Sequence, residues 1–226
     1  MVTKEIKQEI LIPIESLDTL LDHRLFRMLG EQMFFRDVQT GEYFLTRISE
    51  DAKYTADHYS LLPEGAPYQL LEGRLIQMAS PYSSHQKITG NLYFLIRKYL
   101  EGKEDVGEVF LSPLDVHLDE ENIVQPDILF VSIRRSSIVG KFVFGAPDFV
   151  VEVISKGSKN TDEKIKLALY GKFDVTEYWL IYPEKHTVDV YHNKLGVMVK
   201  KQTAQVGEQI ESKAIEGFTF SLRDIF

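Results

Sequence analysis

The clearest indication of the fold is Phe149-Val150-Val151-Glu152-Val153-Ile154, an apolar run that contains a single acid. Apolar side chains along the whole of such a short run predict a strand that is buried on both faces, as in a sheet covered by helices. Burying a lone carboxylate is costly unless the group is paired, protonated or bound to a metal. Glu152 therefore indicates either a functional site or a residue at a strand edge that faces a lysine.

Further strands and helices are predicted on both sides of this run. A hairpin is expected over residues 68–78 with its tip at Glu72-Gly73, and helices are expected from Ser83 or Ser84 to about Leu100 and over residues 162–173. Strands are predicted over residues 108–111, 114–118, 123–132, 177–182, 188–192 and 197–201. This order predicts a mixed α/β (α+β) fold, with a central mixed sheet and flanking helices.

The first 54 residues read as an N-terminal extension without recognisable chemistry. Apolar residues recur at roughly helical spacing over residues 6–17, a short helix is predicted over residues 20–29, and a hairpin is predicted about residues 39–41. We expect this extension to serve in packing, as a lid or as a dimer contact. The predicted domains are therefore 1–54 and 55–226, and the second carries the chemistry.

Composition excludes several classes of protein. The 226 residues carry a formal charge of −8, are 44% hydrophobic and include no cysteine. These values exclude wholesale disorder, a disulfide framework, a Cys-ligated zinc site and a thiol nucleophile. Neither a signal peptide nor an apolar run of about 20 residues is found, so we expect a cytoplasmic protein with no membrane partner. The acidic balance argues against a generic nucleic-acid binder.

A second acid stands at the start of another apolar strand. Asp127 follows Gln125-Pro126 directly and precedes Ile128. Two carboxylates on neighbouring strands would make a hard oxygen site, and Mg²⁺ is commonly held by one or two carboxylates together with water and substrate phosphate. The alternative is that Asp127 is a turn residue after proline.

The helix after Glu152 adds a cation to the pattern. Asp162, Lys166 and Tyr170 are spaced four apart, which places them on one helix face. A lysine aimed into an acidic metal site can orient an attacking water or stabilise charge on a scissile phosphate. The alternative is a solvent-facing pair of Asp162 and Lys166.

Six segments stand out along the chain. They are Tyr68-Gln69-Leu70-Leu71-Glu72-Gly73-Arg74-Leu75, Ser80-Pro81 with His85-Gln86-Lys87-Ile88, Gln125-Pro126-Asp127-Ile128, Pro147 to Ser155, the spaced Asp162, Lys166 and Tyr170, and Glu177-Tyr178-Trp179-Leu180-Ile181. In this order they resemble motifs of the Uma2 family, also called DUF820, over about residues 55–226. The family is assigned to the PD-(D/E)XK restriction-endonuclease-like superfamily, so the resemblance implies a nuclease-like core with a central mixed sheet and a divalent-metal site that cuts phosphodiesters.

The resemblance also implies roles for individual residues. Asp127 and Glu152 would ligate Mg²⁺, for which Mn²⁺ is an expected substitute, and the backbone carbonyl of Val153 would complete the site. Glu72 would be a third acid. The superfamily lysine normally lies two residues after the glutamate, where this sequence has Ile154, so Lys166 would be its migrated equivalent. Expected substrate contacts are His85, Tyr170, Lys156 and Lys159, although His85 could equally cap or pack its helix.

Two functions follow from these expectations. The first is a divalent-metal-dependent endonuclease, that is, an endodeoxyribonuclease-like hydrolase. Its expected partner is nucleic acid, with DNA as the first candidate. The alternative is a catalytically weak or inactive nuclease-fold protein that binds nucleic acid or a protein partner, which the displaced lysine and the acidic charge favour. A homodimer is an additional expected assembly, since nuclease folds often pair.

Overall fold

The computed structural model describes four strands between residues 9 and 47 by their backbone, and residues 53–60, 62, 65–155 and 157–226 in full. The chain divides into two compact units, Met1–Met78 with Asp119–Ile123, and Ala79–Leu118 with Val124–Phe226. The predicted mixed α/β class is confirmed. The predicted domain boundary between residues 54 and 55 stays a prediction.

The N-terminal strands correct part of the sequence interpretation. Strands β1 (Glu9–Leu11), β2 (Phe26–Leu29), β3 (Gln32–Arg36) and β4 (Tyr43–Arg47) form a sheet in the order β1-β4-β3-β2. The pairing of the expected hairpin is confirmed, because β3 and β4 are antiparallel, and its expected turn at residues 39–41 lies outside the described residues. The helical pattern over residues 6–17 is wrong at β1, and the helix over residues 20–29 is wrong at β2. These apolar runs are too short for spacing to distinguish helix from strand, and pairing with β3 and β4 decides the outcome.

The same unit contains a short helix, α1 (Ala56–Ser60), and a hairpin of β5 (Tyr68–Leu71) and β6 (Arg74–Gln77). The predicted tip is confirmed, since Glu72 and Gly73 have φ of 51° and 73°, both in the left-handed region that a two-residue type I′ turn requires. β5 also pairs through Leu70 with Ile123 of β9 (Asn122–Val124).

The second unit carries the long helix α2 (Ser83–Leu100) and a six-stranded sheet. The strands of this sheet are β7 (Gly107–Leu111), β10 (Ile128–Ser132), β12 (Phe149–Val153), β13 (Glu177–Tyr182), β14 (Thr187–Lys194) and β15 (Val197–Gln205). Their order in the sheet is β15-β14-β13-β12-β10-β7, where β12 and β13 are parallel and the other neighbours are antiparallel.

Shorter elements complete the chain. A π-helix, Thr161–Lys166, continues directly into α3 (Leu167–Lys172). The others are β8 (Val116–Asp119), which pairs in parallel with β11 (Val143–Phe144), the antiparallel pair β16 (Gln209–Glu211) and β17 (Thr219–Ser221), and the 3₁₀ turns Ile133–Ile138 and Leu222–Asp224. The strand predicted over residues 123–132 is therefore two strands, and Pro126, which has no N–H to donate, lies in the gap between them.

The core of the second unit explains where Glu152 points. Alternate residues of β12, Phe149, Val151 and Val153, pack into one hydrophobic cluster with the apolar stripe of α2, which is formed by Ile88, Leu92 and Ile96. Because side chains alternate across a strand, Glu152 lies on the opposite face, toward the helical segment 161–172. Both faces of β12 are buried, as predicted. Within the described part of the chain, no helix is long and apolar enough to cross a membrane.

Candidate active site

Glu152 is the centre of a buried polar cluster. Its side chain is 5% exposed, and its Oε1 accepts hydrogen bonds from Lys166 Nζ at 2.7 Å and from the Tyr170 hydroxyl at 3.0 Å. Both contacts come from the helical segment that packs over β12. The lysine that contacts Glu152 lies fourteen residues away in the chain and is itself buried.

The π-helix directs two charged side chains into this cluster. Asp162 and Lys166 are both buried on it, and Asp162 Oδ1 lies 3.2 Å from Lys166 Nζ. The predicted shared face of Asp162, Lys166 and Tyr170 is thus observed, and the solvent-facing alternative for the pair is excluded because both side chains are at most 3% exposed. π-helical turns are rare and are frequently found at functional sites.

Asp127 lies at the neighbouring strand end, immediately before β10. Its Oδ2 accepts the backbone N–H of Val153 at 2.7 Å, which ties the start of β10 to the end of β12. The carboxylate that the sequence placed at this strand start therefore lies beside the strand that carries Glu152. The two acids act on each other electrostatically across the pair of strands.

A histidine from α2 also reaches Asp127. His85 Nε2 lies 3.0 Å from Asp127 Oδ2, in the first turn of the helix, and its ring is 13% exposed. Thr89 Oγ1 donates to the His85 carbonyl oxygen at 2.9 Å, one turn along. The first turn of an 18-residue helix favours a nearby negative charge, so this end of α2 stabilises the Asp127 carboxylate.

The charges of the cluster are unequal. Among the described residues, the largest charge effects on Glu152 come from Lys166, Asp162 and Asp127, so the cluster holds three acids and one ammonium. Burial, reinforced by Asp162 and Asp127, raises the pKa of Glu152 well above its usual range despite Lys166. Burial alone would lower the pKa of Lys166, but the surrounding acids raise it above its usual value, so the lysine stays charged.

Tyr170 is held in the neutral form by the same surroundings. Burial, followed by the charges of Glu152 and Asp162, raises the pKa of its hydroxyl well above the usual range. The hydroxyl is therefore a hydrogen-bond donor, and the acceptor it faces is Glu152 Oε1. Tyr170 is fully buried, and its predicted contact with substrate stays a prediction.

The remaining predicted residues lie outside the cluster or outside the described part of the chain. Glu72 belongs to the other unit, at the exposed tip of its hairpin, where its N–H donates to Asn122 Oδ1 at 2.8 Å. Lys159 is half-exposed, 4.0 Å from Glu163. Lys156 lies outside the described residues. The role of each stays a prediction, as does that of the Val153 carbonyl.

Two residues of the cluster had no assigned role in the sequence interpretation. Asp162 was noted for its spacing from Lys166 and Tyr170, and Tyr178 only as part of the segment Glu177-Tyr178-Trp179-Leu180-Ile181. The Tyr178 hydroxyl donates to the Asp162 carbonyl oxygen at 3.2 Å, and its ring packs edge-on against Tyr170 with centroids 4.8 Å apart. The signal for Asp162 was available, since it is an acid in the first turn of a helix, on the face that also presents Lys166.

The donor set suits a hard divalent cation. Among the described residues, Glu152 is contacted on Oε1 and Asp127 on Oδ2, which leaves the second oxygen of each carboxylate for a cation. In the described part of the chain, no group of three His, Asp or Glu side chains that could hold a metal ion is found. Mg²⁺ does not require one, because it usually binds one or two carboxylates and keeps waters and substrate oxygens for the rest.

Comparison with known proteins identifies a family and a related fold. The model of the Uma2 family, described as "Putative restriction endonuclease", matches residues 56–223. A solved structure described as "a putative nuclease belonging to DUF820 from Anabaena variabilis ATCC 29413" shares the fold with a TM-score of 0.64 at 22% identity, over 76% of this chain and 97% of that one. No curated protein matches the sequence.

Proposed function

We propose that this chain, which belongs to the Uma2 family, is a nuclease that hydrolyses phosphodiester bonds of nucleic acid. DNA is the first candidate substrate, and a divalent cation would bind at Asp127 and Glu152. The observation that carries the proposal is the convergence of Asp127, Glu152 and Lys166 from three different elements of one unit. Hydrolysis adds the oxygen of water to phosphorus, breaks one phosphorus–oxygen ester bond and leaves a phosphate monoester and a hydroxyl.

The excess of acids supports a cation at this place. Three carboxylates around one ammonium leave negative charge that burial makes expensive. Mg²⁺ or Mn²⁺, held by the unused oxygens of Asp127 and Glu152, would neutralise this charge, polarise the scissile phosphate and lower the pKa of a bound water. The Val153 carbonyl is the remaining expected ligand of the protein.

Lys166 acts in this proposal as a fixed positive charge. Its raised pKa means that it does not accept a proton at neutral pH, so it is not the general base. Its ammonium is held between Glu152 and Asp162, where it can stabilise the negative charge that develops on phosphate oxygens. Such preorganised charge needs no reorganisation when the bond breaks.

His85 and Tyr170 serve the two carboxylates. His85 and the Val153 N–H hold one oxygen of Asp127, and the Tyr170 hydroxyl holds one oxygen of Glu152. Hydrogen bonds of this kind orient ligating carboxylates, and their loss typically costs 10–100-fold in metal affinity or activity.

The alternative function, a protein of nuclease fold that binds without cutting, has one observation in its favour. Glu152 and Lys166 are almost wholly buried, and each already has a partner in the other. A cluster of this kind could serve stability alone. The two functions differ in whether DNA or RNA is cleaved when Mn²⁺ is supplied.

The deciding experiment incubates supercoiled plasmid, single-stranded DNA and RNA with the protein and Mn²⁺ or Mg²⁺. We expect cleavage that EDTA abolishes and that Glu152→Gln lowers at least about 100-fold. The matched control is Asp189→Asn, another buried acid paired with a lysine, Lys200, at 2.6 Å outside the cluster. Cleavage by the control but not by Glu152→Gln supports the nuclease. Binding without cleavage by the wild-type chain supports the alternative.

A further inference from the structure

Asp162 is the member of the cluster with the least satisfied side chain. It is 1% exposed, and neither of its carboxylate oxygens has a hydrogen-bond partner among the described residues. Oδ1 has an ionic contact with Lys166 Nζ at 3.2 Å, whereas Oδ2 has neither a hydrogen bond nor an ion pair within the described part of the chain. Leaving a buried charged acceptor without a donor is destabilising by about 1–3 kcal/mol or more. A residue with this cost is not there to strengthen the fold.

The backbone around Asp162 is built to keep it in this place. The π-helix carries it, the Tyr178 hydroxyl donates to its carbonyl oxygen at 3.2 Å, and its N–H donates to the Ser158 carbonyl oxygen at 2.9 Å. The side chain is thus fixed beside Lys166 and acts electrostatically on Glu152.

We propose that Asp162 is a positioning residue for the cation site: it holds the Lys166 ammonium with one oxygen, and with the other it accepts a hydrogen bond from water on the bound cation. This inference rests on the proposed cation at Asp127 and Glu152. It assigns the partner that the unsatisfied Oδ2 lacks, and it explains how a lysine displaced to a helix is aimed at Glu152. The chemical class of the ligand is a hydrated divalent cation.

The test is calorimetric titration of the intact chain with Mn²⁺, without nucleic acid. We expect Asp162→Asn to weaken binding about 10-fold, as is typical for outer partners of metal ligands. Asp189→Asn, the matched buried acid with its own lysine, should leave the affinity unchanged. Asp127→Asn should abolish binding and reports on the site itself.

Thermal unfolding of the same variants separates positioning from a structural role. Without Mn²⁺, Asp162→Asn should be as stable as the wild-type chain or more so, because an unsatisfied buried charge is removed. Unchanged Mn²⁺ affinity in Asp162→Asn with lost binding in Asp127→Asn overturns this inference and keeps the proposed site. Unchanged Mn²⁺ affinity in both Asp162→Asn and Asp127→Asn overturns the proposed site. A loss of stability in Asp162→Asn with unchanged Mn²⁺ affinity means that Asp162 serves the fold and overturns this inference.

Discussion

Two buried glutamates on neighbouring parallel strands differ in how their charges are satisfied. Glu177 is the first residue of β13. One of its oxygens accepts a hydrogen bond from Trp179 Nε1 at 2.9 Å. The other accepts hydrogen bonds from Ser212 Oγ at 2.6 Å and from the backbone N–H groups of Lys213 and Ala214, both at 2.9 Å. Glu152 on β12 has two donors on one oxygen and two further acids nearby.

The hydrogen-bond donors around a buried carboxylate indicate whether it serves the fold or a functional site. Glu177 is surrounded by neutral donors on both oxygens, and it fastens the segment after β16 to the sheet. Such a group needs nothing else and serves the fold. Glu152 belongs to a cluster with surplus negative charge and an unsatisfied neighbour, Asp162, which indicates chemistry. The pattern of donors, and not burial itself, separates the two.

The largest expected effect is on stability at Glu177. Glu177→Ala leaves four donors without their buried acceptor, at about 1–3 kcal/mol each, so we expect the free energy of unfolding to fall by about 5 kcal/mol. Urea denaturation measures this change. A loss under about 1 kcal/mol would contradict the structural role of Glu177.

Lys166 gives the next largest effect. Lys166→Met removes the cation from a buried pair, so we expect about 4 kcal/mol of destabilisation and loss of cleavage. Adding Glu152→Gln should restore about 2 kcal/mol of stability but no cleavage, because one uncompensated acid is removed. The control is Lys200→Met, which removes a half-exposed lysine from its pair with the buried Asp189. Additive losses in the double variant would show that Lys166 and Glu152 are not coupled.

The pH dependence of stability tests Glu152 at smaller amplitude. Because burial raises the pKa of Glu152, the folded state keeps a proton that the unfolded state loses above about pH 4.3. The free energy of unfolding should therefore fall as pH rises from that value through the folded-state pKa, by up to about 1.4 kcal/mol per pH unit. Lys166 titrates only above about pH 10.4, so it does not contribute in this window.

The measurement is urea denaturation between pH 4.5 and 8 without divalent cations. Relative to the wild-type chain, Glu152→Gln should gain stability steadily with pH, and saturating Mn²⁺ should flatten the wild-type curve. Parallel curves for the two proteins would mean that Glu152 is ionised throughout and that the cluster is balanced.

The smallest effect is expected at Tyr170. Tyr170→Phe removes one donor to Glu152 Oε1, which should lower stability by about 1 kcal/mol and weaken Mn²⁺ binding. Tyr182→Phe removes a similar bond, from the Tyr182 hydroxyl to Glu163 Oε1 at 3.0 Å, and should leave Mn²⁺ binding unchanged. Equal effects of both variants on Mn²⁺ affinity would remove Tyr170 from the site.

Several parts of both units could be predicted from sequence, because their signals are local. The apolar run around Glu152, the stripe of α2 and the hairpin tip at Glu72-Gly73 each depend on residues close in the chain. The four-residue spacing of Asp162, Lys166 and Tyr170 likewise predicted a common face, which the structure has.

What the sequence did not reveal depends on distant partners. Strand β2 was expected to be helical, because its pairing with β3 is not visible in spacing. Glu177 resembled Glu152 as an acid at a buried strand, and its donors come from residues 212–214, which no local pattern connects to it. Asp162 was known by position only, since its missing hydrogen-bond donors can be recognised only in three dimensions.

The most direct test of the distinction is Mn²⁺ titration by calorimetry of wild type, Glu152→Gln and Glu177→Gln under identical conditions. Urea denaturation of each variant sets the temperature at which it is almost wholly folded, because partial unfolding would raise the apparent dissociation constant. We expect the wild-type affinity in Glu177→Gln and at least about 10-fold weaker binding in Glu152→Gln. Equal affinity in wild type and Glu152→Gln would contradict the assignment of Glu152 to the cation site.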